Sequence, residues 1–285
     1  VHYDYPNDSI PGGGVTIYYL SKYIKDNTLF ICKKGKGKNY EVPTHVKLRE
    51  YEFEDKESPS VLSERIHSKK KLNIFQTLYT YILIIKSMRG ILFFIKSIPA
   101  IISFKPDIIA CHENRTIFHG IFSKYFLGSK FVVHLHSNSE IEVIKNVPIL
   151  KYFVLKADAI FCLTKLMGQK LIKELKVPSQ KIKYTSTGVN VNLFKNRALQ
   201  RKKQLLAVGR LKFTKGYKFL IEAMKYVLDK YPEYNLVIVG EGKNRIKMEK
   251  QIEEFNLTNN ISLPGRVSRK KIVELMNVSK IFVIG

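Results

Sequence analysis

The 285-residue sequence has no tryptophan and only three cysteines, Cys32, Cys111 and Cys162. They are scattered and form neither a CxxC pair nor a Cys/His metal spacing, which argues against a disulfide framework and a structural zinc site. A reducing, cytoplasmic setting is the expectation that follows. Acidic residues are scarce as well: 24 Asp+Glu stand against 49 Lys+Arg, a net charge of +25. Such an excess favours anionic partners: phosphorylated ligands, nucleic acid or an acidic membrane surface. Long uncharged apolar runs are missing. The most apolar stretch, 79–104, is interrupted by Lys86, Arg89, Lys96 and Pro99 and never reaches the ~18 residues of a membrane-spanning helix. The opening VHYDYPNDS has neither the basic nor the apolar region of a signal peptide, so none is expected.

A hydrophobic share of 45% is enough for a sizeable core, and the length allows one large or two ordinary α/β domains. Pro11-Gly12-Gly13-Gly14 is a turn that opens a helix, 28–32 reads as a short buried strand, and 50–60 as a charged connection. Amphipathic helix, in one or two pieces, is expected over 71–103. Strands at 107–110, 130–135, 159–163 and 182–185 then alternate with helices at 116–127, 148–156 and 166–175. That rhythm marks βαβ units and a parallel sheet. A polar stretch, 187–203, reads as a linker, with the domain boundary drawn after residue 190. A second series follows: strands 205–208, 235–240, 260–265 and 280–285, with helices 216–230, 244–255 and 268–277 between them. The chain opens without methionine and stops on its fourth strand, so the second domain is expected to be incomplete and the sequence a piece of a longer one.

The strongest local signal is Val208-Gly-Arg-Leu-Lys-Phe-Thr-Lys-Gly216, which follows an apolar strand and opens a helix. A strand-to-helix turn offers backbone N–H groups and the positive end of a helix dipole, and Arg210 and Lys215 add two cations able to embrace a diphosphate. Two further strand ends carry glycine: Gly240-Glu241-Gly242, and Gly265 in LPGRV. Open α/β sheets bind ligands at such carboxyl ends.

Residues 205–285, from LLAVGRLKFTKGYKFLIEAM through LVIVGEG to LPGRVSRKKIVELMNVSKIFV, resemble the second domain of the retaining GT-B glycosyltransferases, glycosyl transferases group 1 or family 4. PGGG, PDIIACHE, FVVHLHS, ADAIFCLT and TGVNVNLF in the first half resemble that family more loosely. The resemblance implies an α/β chain of GT-B type, with two doubly wound Rossmann-like domains, 1–190 on the acceptor side and 191–285, incomplete, for the nucleotide-sugar. It implies transfer of a sugar from a UDP- or GDP-linked donor to a saccharide or lipid-linked acceptor with retention, in cell-surface polysaccharide or glycolipid synthesis. No cofactor and no metal are expected, and no acidic DxD pair is placed as a metal clamp.

Carried over residue by residue, the resemblance implies that Arg210 and Lys215 bind the donor diphosphate and stabilise the leaving charge. Gly12, Gly13 and Gly14 approach the phosphates and the transferred sugar, with Gly209, Gly240, Gly242 and Glu241 beside the nucleotide and Arg266 and Val267 at the base. His136 lies near the reacting sugar, while His134 is expected on the other side of the strand in a structural role. His112-Glu113 reads as a strand-end loop, with an acceptor-side pair as the alternative, and Asp158 as a cap before its strand. Thr187 stands where the family usually has Asn. The family's Glu-x7-Glu pair would follow KIFVIG and is absent, so these 285 residues alone are expected to have weak or no activity.

Three readings stay open beside this one. A sugar-nucleotide epimerase or a phosphorylase shares the scaffold, and a non-catalytic basic binding protein would account for the charge. Nucleic acid is not an expected partner, because the lysines are spread along the chain without a recognised module. The segment 69–104 fits either core-packed helices or a basic amphipathic surface at the cytoplasmic face of a membrane.

Overall fold

The computed structural model describes residues 28–33, 44, 46–51 and 92–284. The chain divides into two compact units, Val1–Gly188 and Val189–Gly285. The glycine turn at Gly12, Gly13 and Gly14 lies outside the described residues.

In the first unit, strands β3 (Ile108–His112), β4 (Lys130–Leu135), β5 (Ala159–Cys162) and β6 (Ile182–Tyr184) form one parallel sheet in that order. Chain neighbours are sheet neighbours because short helical crossovers join them: α2 (Ile117–Leu127), α3 (Asn138–Asn146) with α4 (Pro148–Leu155), and α5 (Lys165–Leu175). Ile109, Cys111, Phe131, Val133, Leu135, Ile160 and Cys162 point into a core completed by Ile141, Leu150 and Leu171 from the helices. Asp158 ties the start of β4 to α2: one carboxylate oxygen accepts from the Phe131 amide at 2.8 Å and the other meets Lys124 at 2.6 Å. Expected as a cap before its own strand, β5, it caps the neighbouring strand β4 instead.

Helix α3 was not foreseen. Its signal is Ser137-x-x-Glu140, a capping-box spacing in which Glu140 accepts the Ser137 amide at 2.7 Å. The predicted charged connection from residue 50 also starts too early. Strand β2 (Val46–Tyr51) pairs in parallel with β1 (Thr28–Lys33), and its VKLRE alternation buries Val46 while exposing Lys47 and Arg49. Charged residues on a half-buried strand's outer face conceal its period of two.

Residues 92–104 form helix α1, which places Phe93 and Ile101 in a small core with Ile31. His119 of α2 is wholly buried against α1. A carbonyl can only accept, so the His119 Nδ1–H donates to Thr116 O at 3.1 Å, and its Nε2 accepts from the Ser97 hydroxyl at 2.8 Å. Burial pushes its pKa down to about 3. Among the described residues, no helix is long and apolar enough to cross a membrane.

The second unit holds β7 (Lys202–Val208), α6 (Tyr217–Lys230), β8 (Asn235–Val239), α7 (Arg245–Glu254), β9 (Ile261–Gly265), α8 (Arg269–Val278) and β10 (Ser279–Phe282). The four strands are parallel and ordered β10-β7-β8-β9. The chain therefore works outward from β7 to β9, then returns past β7 to lay β10 on its other edge. That reversal creates a topological switch point between β7 and β10, where open α/β sheets form a ligand crevice at the carboxyl ends. Leu205, Ala207, Leu236 and Ile238 pack on Ile221, Met224, Met248 and Ile252.

Candidate functional site

In the second unit the loop leaving β7 stands at the switch point. Backbone hydrogen bonds interlock it with the loops leaving β8 and β9: Gly209 N–H donates to Val239 O at 2.9 Å and Gly240 N–H to Gly265 O at 2.9 Å. The Leu211 amide reaches Glu241 O at 3.0 Å, and the Asn244 amide returns to Leu211 O at 3.1 Å. This close approach needs glycine at two positions. Gly240 has φ +147, and a Cβ there would collide with the Gly209 carbonyl; a Cβ on Gly242 would collide with the Leu211 carbonyl.

Arg210 and Lys215 stand exposed on this loop. Helix α6 follows at once, with Gly216 at its N-cap in the left-handed region and no side-chain cap or acidic residue in its first turn. A positive helix end flanked by two cations is a place for an anion. Glu241 is held away from that role by Arg245, whose Nη1 donates to it at 2.7 Å while Nη2 holds Leu263 O at 2.9 Å. Arg266 and Val267 follow the end of β9, Arg266 exposed and Val267 half-buried.

The first unit brings together residues that sequence reasoning kept apart. His112 closes β3, His134 lies near the end of β4, and the two are register partners across the parallel pair. His136 follows the end of β4. The ring centroids of His134 and His136 are 4.4 Å apart, those of His112 and His134 4.9 Å, and His112 Nδ1 lies 3.0 Å from His136 Nε2. The expectation that His134 and His136 face opposite sides fails, because residues two apart in extended chain share a face. One ring nitrogen from each of the three lies within 4.8 Å of the others. His134, expected to be structural, and His112, expected in a strand-end loop with an acceptor-side role as the alternative, both belong to the candidate site. The available signal was that ACH and VVH end adjacent parallel strands.

Two carboxylates complete this region. Glu140 Oε2 accepts from the His136 amide at 2.6 Å and the Ser137 amide at 2.7 Å. Its Oε1 is buried with no hydrogen-bond partner among the described residues, as is His134 Nε2. Burial, then the Glu113 charge, push Glu140 up to about 7 against its two amide donors. Burial also raises Glu113, which sits at φ 71, and Arg115 opposes that shift. Burial and then His136 push His134 down to about 4. Burial keeps the His134 imidazole neutral beside the acidic groups, whereas the second unit offers fixed positive charge.

The Glycosyltransferase Family 4 profile matches residues 12–193, and the Glycosyl transferases group 1 profile matches 190–285. The uncharacterized glycosyltransferase MJ1059 of Methanocaldococcus jannaschii is 27% identical over 196 residues, covering 60% of this chain and 48% of its own. The O-antigen biosynthesis glycosyltransferase WbnH of Escherichia coli is 34% identical over 119 residues, covering 41% of this chain and 32% of its own. The crystal structure of Anabaena Alr3699/HepE in complex with UDP and glucose superposes with a TM-score of 0.62 at 15% identity, covering 99% of this chain and 72% of that one. The fold is GT-B, with Rossmann-like parallel sheets. The chain spans about half the length of the curated relatives it matches.

Proposed function

The chain belongs to Glycosyltransferase Family 4, and from that membership we propose that the protein transfers a sugar from a nucleotide-sugar donor to a saccharide or lipid-linked acceptor with retention of configuration. The observation that carries the reading is the interlocked set of glycine loops at the carboxyl ends of β7, β8 and β9, flanked by exposed Arg210 and Lys215. Departure of a nucleoside diphosphate places negative charge on its terminal phosphate. Two cations and a helix N-terminus, fixed before the reaction, stabilise that charge without reorganising. In this reading they do so without a metal at the diphosphate.

Arg266 and Val267 are assigned to the base, His136 to the transferred sugar, and Gly12, Gly13 and Gly14 to the loop facing the phosphates. The UDP in the HepE complex supports a uridine donor, with GDP the second candidate. The likeness to an O-antigen enzyme supports a role in cell-surface polysaccharide synthesis. A lipid-linked acceptor at the inner membrane face draws support from α1, which exposes Leu92, Ile95 and Ile102 beside Lys96 and Lys105.

Calorimetric titration of the chain with UDP, GDP and AMP tests the donor assignment. Saturable binding of UDP or GDP, one per chain, is expected and names the base; no binding of either at millimolar concentration overturns the reading. Flotation with anionic liposomes tests the acceptor side. Salt-sensitive co-flotation is expected, and its absence removes the lipid-linked acceptor from the proposal.

A further inference from the structure

We propose that His112, His134 and His136 bind one divalent transition-metal ion of the zinc class, a site built from none of the donor-phosphate cations. One ring nitrogen from each histidine lies within 4.8 Å of the other two. Imidazole ligands bind zinc at ~2.0–2.1 Å, so a tetrahedral ion needs nitrogens ~3.3 Å apart. His112 Nδ1 and His136 Nε2 are already 3.0 Å apart. His134 therefore has the largest adjustment to make, on the order of an ångström of ring movement, which a side-chain torsion supplies.

The placement favours a ligand over a chance cluster. His112 and His134 sit on paired strands in register, so rigid backbone and not loop conformation sets their separation. His134 Nε2 is buried and has no hydrogen-bond partner among the described residues, a cost that a bound ion removes. Glu140 also grips the His136 amide at 2.6 Å, fixing the backbone that carries one ligand. Imidazole nitrogen suits zinc, copper, nickel and cobalt, and disfavours magnesium and calcium, which take oxygen. Three protein ligands leave a fourth tetrahedral position for water or a hydroxyl group. On binding, the proton between His112 Nδ1 and His136 Nε2 shifts to the far nitrogen of the ring that carries it, so both rings stay neutral and both near nitrogens face the ion.

Cobalt(II) titration of the tag-free, chelator-stripped full chain tests the site. One equivalent is expected to give the visible absorption of a nitrogen-ligated tetrahedral ion, and zinc is expected to displace it. His134→Asn and His112→Asn should each weaken binding at least tenfold, while Arg210→Ala leaves it unchanged. No cobalt band together with no zinc uptake overturns the proposal, and so does an affinity unchanged from the native chain in both histidine variants. Should a buried variant fail to fold, the half-buried His136→Asn and the spectrum of the unmodified protein decide. Nucleotide titration of the same metal-free chain is read separately, so failure here is distinguishable from failure of the donor assignment.

Discussion

The ends of β3 and β4 in the first unit carry three imidazoles and two carboxylates, while the ends of β7, β8 and β9 in the second carry glycine, backbone amides and exposed cations, Arg210 and Lys215 among them. All seven histidines and all three cysteines of the sequence fall in the first unit, and the second has neither. Both sheets are four parallel strands linked by helices, so the scaffold does not account for the contrast. Residue type at the strand ends does. Glycine and fixed cations suit a ligand whose charge is permanent, such as a diphosphate. Imidazoles, which can both donate and accept, suit hydroxyl groups or a metal ion more than a ligand recognised by net charge.

The contrast is sharpest where backbone alone builds the site. Gly240→Ala places a Cβ against the Gly209 carbonyl at a φ of +147 that other residues rarely adopt. We expect a loss of roughly 3 kcal/mol or more in the stability of the second unit, and no measurable nucleotide binding. Hydrogen exchange should show lost protection in β7 and β8 and none in β3 and β4. Equal loss in both units would break the division between them.

Removing charge should act on binding and leave the fold intact. Arg210→Ala and Lys215→Ala should each weaken nucleoside-diphosphate binding by roughly 10- to 100-fold, the value of a hydrogen bond to a charged group at ~1.5–3 kcal/mol. Both side chains are exposed, so the unfolding midpoint should stay put. Calorimetry with a urea titration separates the two effects. A shifted midpoint with unchanged affinity would mean that the cations stabilise the loop and do not hold a phosphate.

Acid should distinguish the units through His119. Its folded pKa of about 3 lies below the ordinary 6.5, so its contribution is fully present above pH ~6.5 and is lost as pH falls toward 3, while the unfolded chain takes up the proton. Phe93, Phe94, Ser97 and Thr116, which face the ring, carry no charge to offset this. Glu140, held up to about 7, works in the opposite direction, so the comparison is between the native chain and His119→Gln. Between pH ~7.5 and ~5 the native chain should lose roughly 2 kcal/mol relative to that variant, about a 30-fold change in exchange protection of α2. Helix α6, in a unit without histidine, should show no such difference. A pH-independent difference would mean that His119 is solvated in the folded state.

How much of this was legible in the sequence follows from the kind of signal each feature leaves. Apolar runs and glycine turns are local, so every strand from β3 to β10 was read within a few residues of its place, and the Gly209–Gly216 loop was read with its two cations. Strand order is not local. Nothing between residues 202 and 282 announces that β10 returns beside β7, yet that return makes the loop a switch point. The histidine cluster was hidden for the same reason: His112 and His134 are 22 positions apart in the chain and meet only through sheet register. Helix α3 and strand β2 failed differently, because polar and charged residues cover the features that define them.

Where the units use the same local device, the contrast should vanish. Thr164 caps α5 by accepting the Met167 amide at 3.2 Å, and Ser268 caps α8 by accepting the Lys271 amide at 3.2 Å. Each hydroxyl satisfies one of the amides that a helix start leaves without an intrahelical partner. Thr164→Ala and Ser268→Ala should each cost about 1 kcal/mol, since the same kind of bond has the same length in both. Hydrogen exchange over the first turn of each helix reads the two losses side by side. If they agree within a few tenths of a kcal/mol, the units differ in the chemistry of their strand ends and not in how their helices are held. A loss confined to one helix would carry the difference into the scaffold itself, and the residue-type account of the two sites would no longer be sufficient.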